Sequence, residues 1–151
     1  MFSAISHTFI NVLDQDEALD FYVGKLGFEL RTDADLGVMR WLTVSLPDDP
    51  AHELVLFQPG GPMIDDATAA QVRDLVTKGA LSGFILQTDD CRRTYEELRA
   101  KGVEFTQEPE ERFYGIDCAL RDPFGNPLRI TQPAEGPIEV PPPSAEPTAA
   151  A

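Results

Sequence analysis

Lys25-Leu26-Gly27-Phe28-Glu29 and, further along, Lys101-Gly102-Val103-Glu104-Phe105 decide the fold, because the second stretch echoes the first. Each closes a helical pattern on a glycine and opens a short strand. Ahead of the first lie Ala18, Leu19, Phe21, Tyr22 and Leu26 at helical spacing, with Asp14 or Asp16 as cap. Ahead of the second lie Tyr95, Leu98 and Ala100, with Asp89 or Asp90 as cap. Working outward, the first copy reads as strand Ile5 to Val12, the helix, strand Phe28 to Thr32, strand Val38 to Leu46, a turn at Pro47-Asp48-Asp49-Pro50, and strand Glu53 to Gln58. The second reads as strand Leu81 to Thr88, the helix, strand Val103 to Thr106, strand Tyr114 to Arg121, a turn at Asp122-Pro123-Phe124-Gly125-Asn126, and strand Pro127 to Thr131. Glu108, Glu110 and Glu111 read as a solvated loop. The order β-α-β-β-β thus occurs twice, and a repeated unit outweighs any single strand assignment. The class is α+β: repeat one spans 5–58, repeat two 81–132. The connection, 59–80, holds the loop Pro59-Gly60-Gly61-Pro62 and a helix from Asp65 or Asp66 to Thr77.

The 151 residues suit one domain, 1–132, with 42% hydrophobic and 25% charged residues. From 133 to 151 the chain turns to Pro, Ala and Glu, and reads as a disordered acidic tail without core-forming residues. A formal net charge of -14 repels phosphate backbones and anionic bilayers, so nucleic acid and membrane are not expected partners. No apolar run approaches the roughly 20 residues of a membrane span, and no secretory signal is visible. Cys91 and Cys118 form neither a disulfide framework nor a CxxC motif. A cytoplasmic protein is the expectation. Neither a Gly-rich phosphate loop nor a GxSxG elbow is present.

Ile5-Ser6-His7-Thr8, the helix Ala18-Leu19-Asp20-Phe21-Tyr22, Leu26-Gly27-Phe28, Lys101-Gly102-Val103 and Arg121-Asp122-Pro123-Phe124-Gly125-Asn126, in this order, resemble the vicinal oxygen chelate superfamily of glyoxalases, bleomycin-resistance proteins and extradiol dioxygenases. The resemblance covers about Ile5 to Gln132. It implies two βαβββ units, each curled into a mostly antiparallel mixed sheet, enclosing a cavity for a small organic ligand. In metal-dependent members a divalent Zn, Ni, Fe or Mn ion there holds neighbouring substrate oxygens. Members also dimerise, or assemble the cavity across subunits, so a homodimer is expected.

Carried over residue by residue, the resemblance gives half a metal site. His7 matches the first ligand position and Glu53 the second. The third falls on Gly83 or Phe84, which have no ligating side chain. The fourth falls on Arg129, a cation and donor only. One His and one carboxylate fall short of the three protein ligands of a catalytic zinc. No metal cofactor is therefore expected, with Arg129 standing where the ion would lie and facing Glu53.

Each candidate also has an ordinary reading. His7 on an apolar strand is commonly a packed histidine, Glu53 at a strand start a solvated one, and Arg129 between Leu128 and Ile130 simple alternation. The family positions favour a pocket role for all three. Arg121 and Asp117 alternate with Ile116, Cys118 and Leu120, facing the same cavity or pairing with each other. Trp41, Phe9, Phe57 and Met39 share the parity of cavity residues, and their aromatic rings suit stacking on a planar ligand.

Three functions compete. The first is a metal-free binder of a small organic ligand, held by Arg129, Trp41, Phe9, Phe57 and Arg121. The second is a lyase, isomerase or dioxygenase of the glyoxalase type, using a divalent metal or His7 and Glu53 as acid/base groups. The third is an interaction protein whose acidic tail recruits a partner.

Overall fold

The computed structural model describes residues 1–143, so most of the tail's second half lies outside the described residues. The first unit is β1 (His7–Asn11), α1 (Gln15–Tyr22), β2 (Glu29–Asp35), β3 (Arg40–Leu46) and β4 (Asp49–Phe57). α2 (Asp66–Thr77) connects it to β5 (Ile85–Gln87), α3 (Cys91–Ala100), β6 (Phe105–Arg112), β7 (Gly115–Arg121) and β8 (Pro127–Pro133). Asp14, Asp65 and Asp90 cap the three helices through their carboxylates, each accepting a backbone N–H three residues on. Asp16 instead pairs with Arg40, 2.7 Å away. Gly27, at φ +82°, carries the chain from α1 into β2 through a conformation that only glycine adopts readily.

Each unit makes a four-stranded sheet of the same topology, β1-β4-β3-β2 in the first and β5-β8-β7-β6 in the second. The outer pairs β1·β4 and β5·β8 are parallel, and the others antiparallel. Strand alternation splits the side chains cleanly. Ile10, Leu42, Val44, Leu54 and Leu56 of the first sheet, and Cys118, Leu120, Leu128 and Ile130 of the second, join Phe21, Tyr22, Tyr95 and Leu98 of the helices in one core. Among the described residues, the opposite face of each sheet carries no helix.

Several segments differ from the sequence reading. β2 runs on to Asp35, and β4 begins at Asp49, so Asp49 and Pro50 belong to a strand and not to the turn. β6 extends to Arg112 and includes Glu108, Glu110 and Glu111, which therefore belong to a strand and not a loop. It tolerates Pro109 because it is the sheet's edge, and its register shifts around that residue. β5 is only three residues long, because Leu81 to Phe84 approach β8 without forming strand. Finally, β8 runs to Pro133 and Ala134 donates to the Tyr114 carbonyl at 2.9 Å, so the fold outlasts the expected boundary at 132.

Besides the shared core, a buried polar cluster fastens the two units. Asp122 is 4% exposed; one carboxylate oxygen accepts the backbone N–H groups of Phe124, Gly125 and Asn126, and the other accepts from Tyr22 and the Asn126 amide. The Asn126 amide also donates to the Asn11 carbonyl at 2.7 Å. Phe84 packs its ring against Tyr22 and Phe28. The Asp122-to-Asn126 turn thus clasps the second unit to α1 and the end of β1.

Candidate functional site

The helix-free face of the first sheet gathers most of the predicted residues. The β1·β4 register sets His7 beside Glu53 and Phe9 beside Val55, while β3 sets Thr43 beside Val55. His7 Nε2 lies 3.6 Å from Glu53 Oε2, and the same oxygen accepts a short hydrogen bond from Thr43 Oγ1. Ser6 Oγ contacts His7 Nδ1 at 2.9 Å. Beyond this polar end lies an aromatic plate. Phe9 meets Trp41 and Phe57 edge-on, with centroids 6.0 Å away in both cases, and Trp41 also flanks His7. Phe9 remains 51% exposed, so nothing among the described residues covers the plate. His52 points to the other side, where its Nε2 meets Thr8 Oγ1 at 3.2 Å.

The helix-free face of the second sheet carries Arg129, flanked by Ile85 on β5 and Ala119 on β7. Arg129 Nε donates to Asp117 Oδ2 at 2.7 Å, and Nη2 donates to the same oxygen and to Gln107 Oε1. Asp117 is 1% exposed, whereas the Arg129 side chain is 39% exposed. Burial alone would lower the Arg129 pKa, but the hydrogen bond and charge of Asp117 hold it above its ordinary value. Tyr114 stands beside both; burial, then Asp117, push its phenol up. Hollows of about 330 Å³ lie on either side of Arg129. One is lined in part by Gln107, Ala119 and Arg121, the other by Gln87, Tyr114 and Thr131.

Two expectations need correction. Arg129 does not face Glu53: among the described residues its carboxylate partner is Asp117 of its own sheet, and the partners of Glu53 are His7 and Thr43 of its own. One core backs both sheets, so the two helix-free faces do not converge within a single chain. The third ligand position is also not Gly83 or Phe84. His7 pairs with Glu53 in the first unit, and the equivalent pairing in the second sets Ile85 against Arg129. A Cβ on Gly83 would sit 1.7 Å from the Pro127 carbonyl oxygen, so that position admits no side chain at all. Arg121 shares the face of Asp117 but does not pair with it; its Nη1 donates to the Gly125 carbonyl.

Among the described residues, the donors gathered on these two faces fall short of the three protein ligands of a catalytic zinc. Glu53 and His7 are the two ligand types brought together, and the corresponding positions of the other sheet hold a guanidinium and an isoleucine. Among the described residues no group of three His, Cys, Asp or Glu side chains is placed to hold a metal. Sequence reasoning missed Thr43, Gln107 and Ile85; Thr43 and Ile85 follow from the alternation that marked Trp41 and Arg129, whereas Gln107 sits at a register shift of β6 beyond the strand that was read. No helix among the described residues is long and apolar enough to cross a membrane.

Residues 4–130 match the model of the Glyoxalase/Bleomycin resistance protein/Dioxygenase superfamily. With the doubled βαβββ topology, this places the chain in that superfamily. Among relatives, the uncharacterized protein YurT of Bacillus subtilis (strain 168) is 33% identical over 125 residues, covering 83% of this chain and 95% of that protein. Among solved structures, UcmS2 is 45% identical, with a TM-score of 0.82, covering 87% of this chain and 98% of that one. TnmS3, an antibiotic binding protein from Streptomyces sp. CB03234, is 29% identical with a TM-score of 0.70, covering 88% and 98%.

Proposed function

We propose that the protein binds a planar aromatic small molecule, antibiotic-like in character, without a metal and without turning it over. The uncovered plate of Trp41, Phe9 and Phe57 carries this reading. Three rings packed edge to face on a sheet, with one half exposed, leave apolar surface in water at a free-energy cost unless a ligand or a second surface covers them. The antibiotic-binding neighbour TnmS3 points the same way. The cup is completed by a second copy, whose Arg129 face lies over the plate. Ile85, 66% exposed, and Phe9 are the apolar residues that such pairing removes from water.

The chain has a single tryptophan, so Trp41 reports its own site. Titration with fused-ring aromatics such as naphthalene and phenazine is expected to quench Trp41 saturably and to raise the melting temperature. Trp41→Ala is expected to abolish the thermal shift, and chelator to leave it unchanged. A panel in which no compound raises the midpoint rules the reading out. So does a stoichiometric ion in protein purified without chelator.

The His7–Glu53 contact, steadied by Thr43, favours a second reading: proton transfer to or from a bound ligand, as in a lyase or isomerase. Turnover that disappears in both His7→Ala and Glu53→Gln would establish it.

A further inference from the structure

We infer that the ligand carries a carboxylate, held in the hollow that Arg121 and Arg129 line together. This rests on the binding function proposed above and names the chemical class of its ligand.

The hollow, about 330 Å³, has Phe84, Ile85 and Leu128 among its apolar walls. Among the described residues its charged lining consists of Arg121 and Arg129, with no carboxylate. Two guanidiniums on one hollow repel each other, and an anion between them turns that repulsion into attraction.

Neither guanidinium is used up. Arg121 Nη1 donates to the Gly125 carbonyl at 3.1 Å, and among the described residues no carboxylate pairs with Arg121. Glu104 lies beside it across the strands, but it is the Glu104 carbonyl that accepts the Arg121 backbone N–H. Arg129 binds Asp117 and Gln107 through Nε and Nη2, which leaves Nη1 open to solvent. Asp117 does not serve Arg129 alone, because its other oxygen lies 3.9 Å from Arg112 Nε. A carboxylate has two oxygens and accepts charge-assisted hydrogen bonds from both arginines at once.

The charge of the whole chain works in the opposite direction. At -14 it attracts cations and repels anions. Binding governed by overall charge would therefore favour an amine, whereas binding governed by this hollow favours a carboxylate. The two orders are opposite, and that makes the inference sharp.

Three ligands of similar shape test it by calorimetric titration of the full-length protein: 2-naphthoate, the neutral 2-naphthamide and the cationic 2-naphthylmethylamine. Naphthoate is expected to bind about tenfold more tightly than the amide, with the amine weakest. Raising salt from about 0.05 to 0.5 M should shrink the naphthoate preference. Arg121→Gln is expected to bring the naphthoate and amide affinities together. If that variant does not fold, the order of the three on the native chain still decides. Equal affinities for naphthoate and amide, or a preference for the amine, overturn the inference while the binding function stands. So does a naphthoate preference undiminished in a folded Arg121→Gln protein. Failure of all three to bind overturns both.

Discussion

Tyr22 shows how one hydroxyl links two halves of a chain. Its ring is fully buried in the common core, and its phenol donates to Asp122 at 2.8 Å. Burial and then the Asp122 carboxylate push that phenol far above its ordinary range. Tyr22→Phe keeps the ring and removes the bond, so it is expected to cost about 1–2 kcal/mol in urea unfolding. Asp122→Ala also strips the partners of three backbone N–H groups and is expected to cost about 3 kcal/mol or more. A Tyr22→Phe protein as stable as the parent would show that the clasp contributes nothing. In the sequence, Asp122-Pro123-Phe124-Gly125-Asn126 was legible as a turn, because Gly and Asn are turn formers. That its aspartate would reach another unit was not legible, since Tyr22 lies a hundred positions away.

Helix α3 meets β7 through two thiols. Cys91 and Cys118 sulfurs lie 3.7 Å apart, both buried. Burial pushes the Cys91 thiol up and drives that of Cys118 to about 12 from an ordinary 9.0. A folded pKa above the unfolded one stabilises the fold fully below the unfolded value and loses that contribution as pH rises toward the folded one. The urea midpoint is therefore expected to hold steady below pH 9.0 and to fall between there and about pH 12. Cys118→Val should make the decline shallower and leave the part due to Cys91 and Tyr22. An unchanged slope would contradict the assignment.

The strands show where local pattern suffices. β3 and β7 were legible because apolar and polar residues alternate along them. β6 was not, because its alternation is masked by glutamates and interrupted by Pro109, and only its edge position explains why it pairs at all. The site divides in the same way. That His7 and Glu53 share a face follows from parity, whereas the Arg129 partner depends on which strand lies beside β8. Asp117 reaches Arg129 diagonally, from a residue paired with Thr131.

For the whole molecule, the decisive quantity is how much of each sheet faces nothing. If a second copy closes the cup, ligand affinity should fall as protein is diluted below the dimer's dissociation constant, with sedimentation following the same transition. Association of two chains of charge -14 is opposed by their mutual repulsion, so added salt should strengthen it. A monomer at all concentrations, with undiminished ligand binding, would remove the second copy from the site. Neither half of the doubled fold can rock against the other without breaking Tyr22–Asp122 and Asn126–Asn11, each of which holds a buried side chain. Each chain therefore carries its two open sheet faces at a fixed mutual angle, and any change in the shape of the proposed cup has to come from the seam between copies.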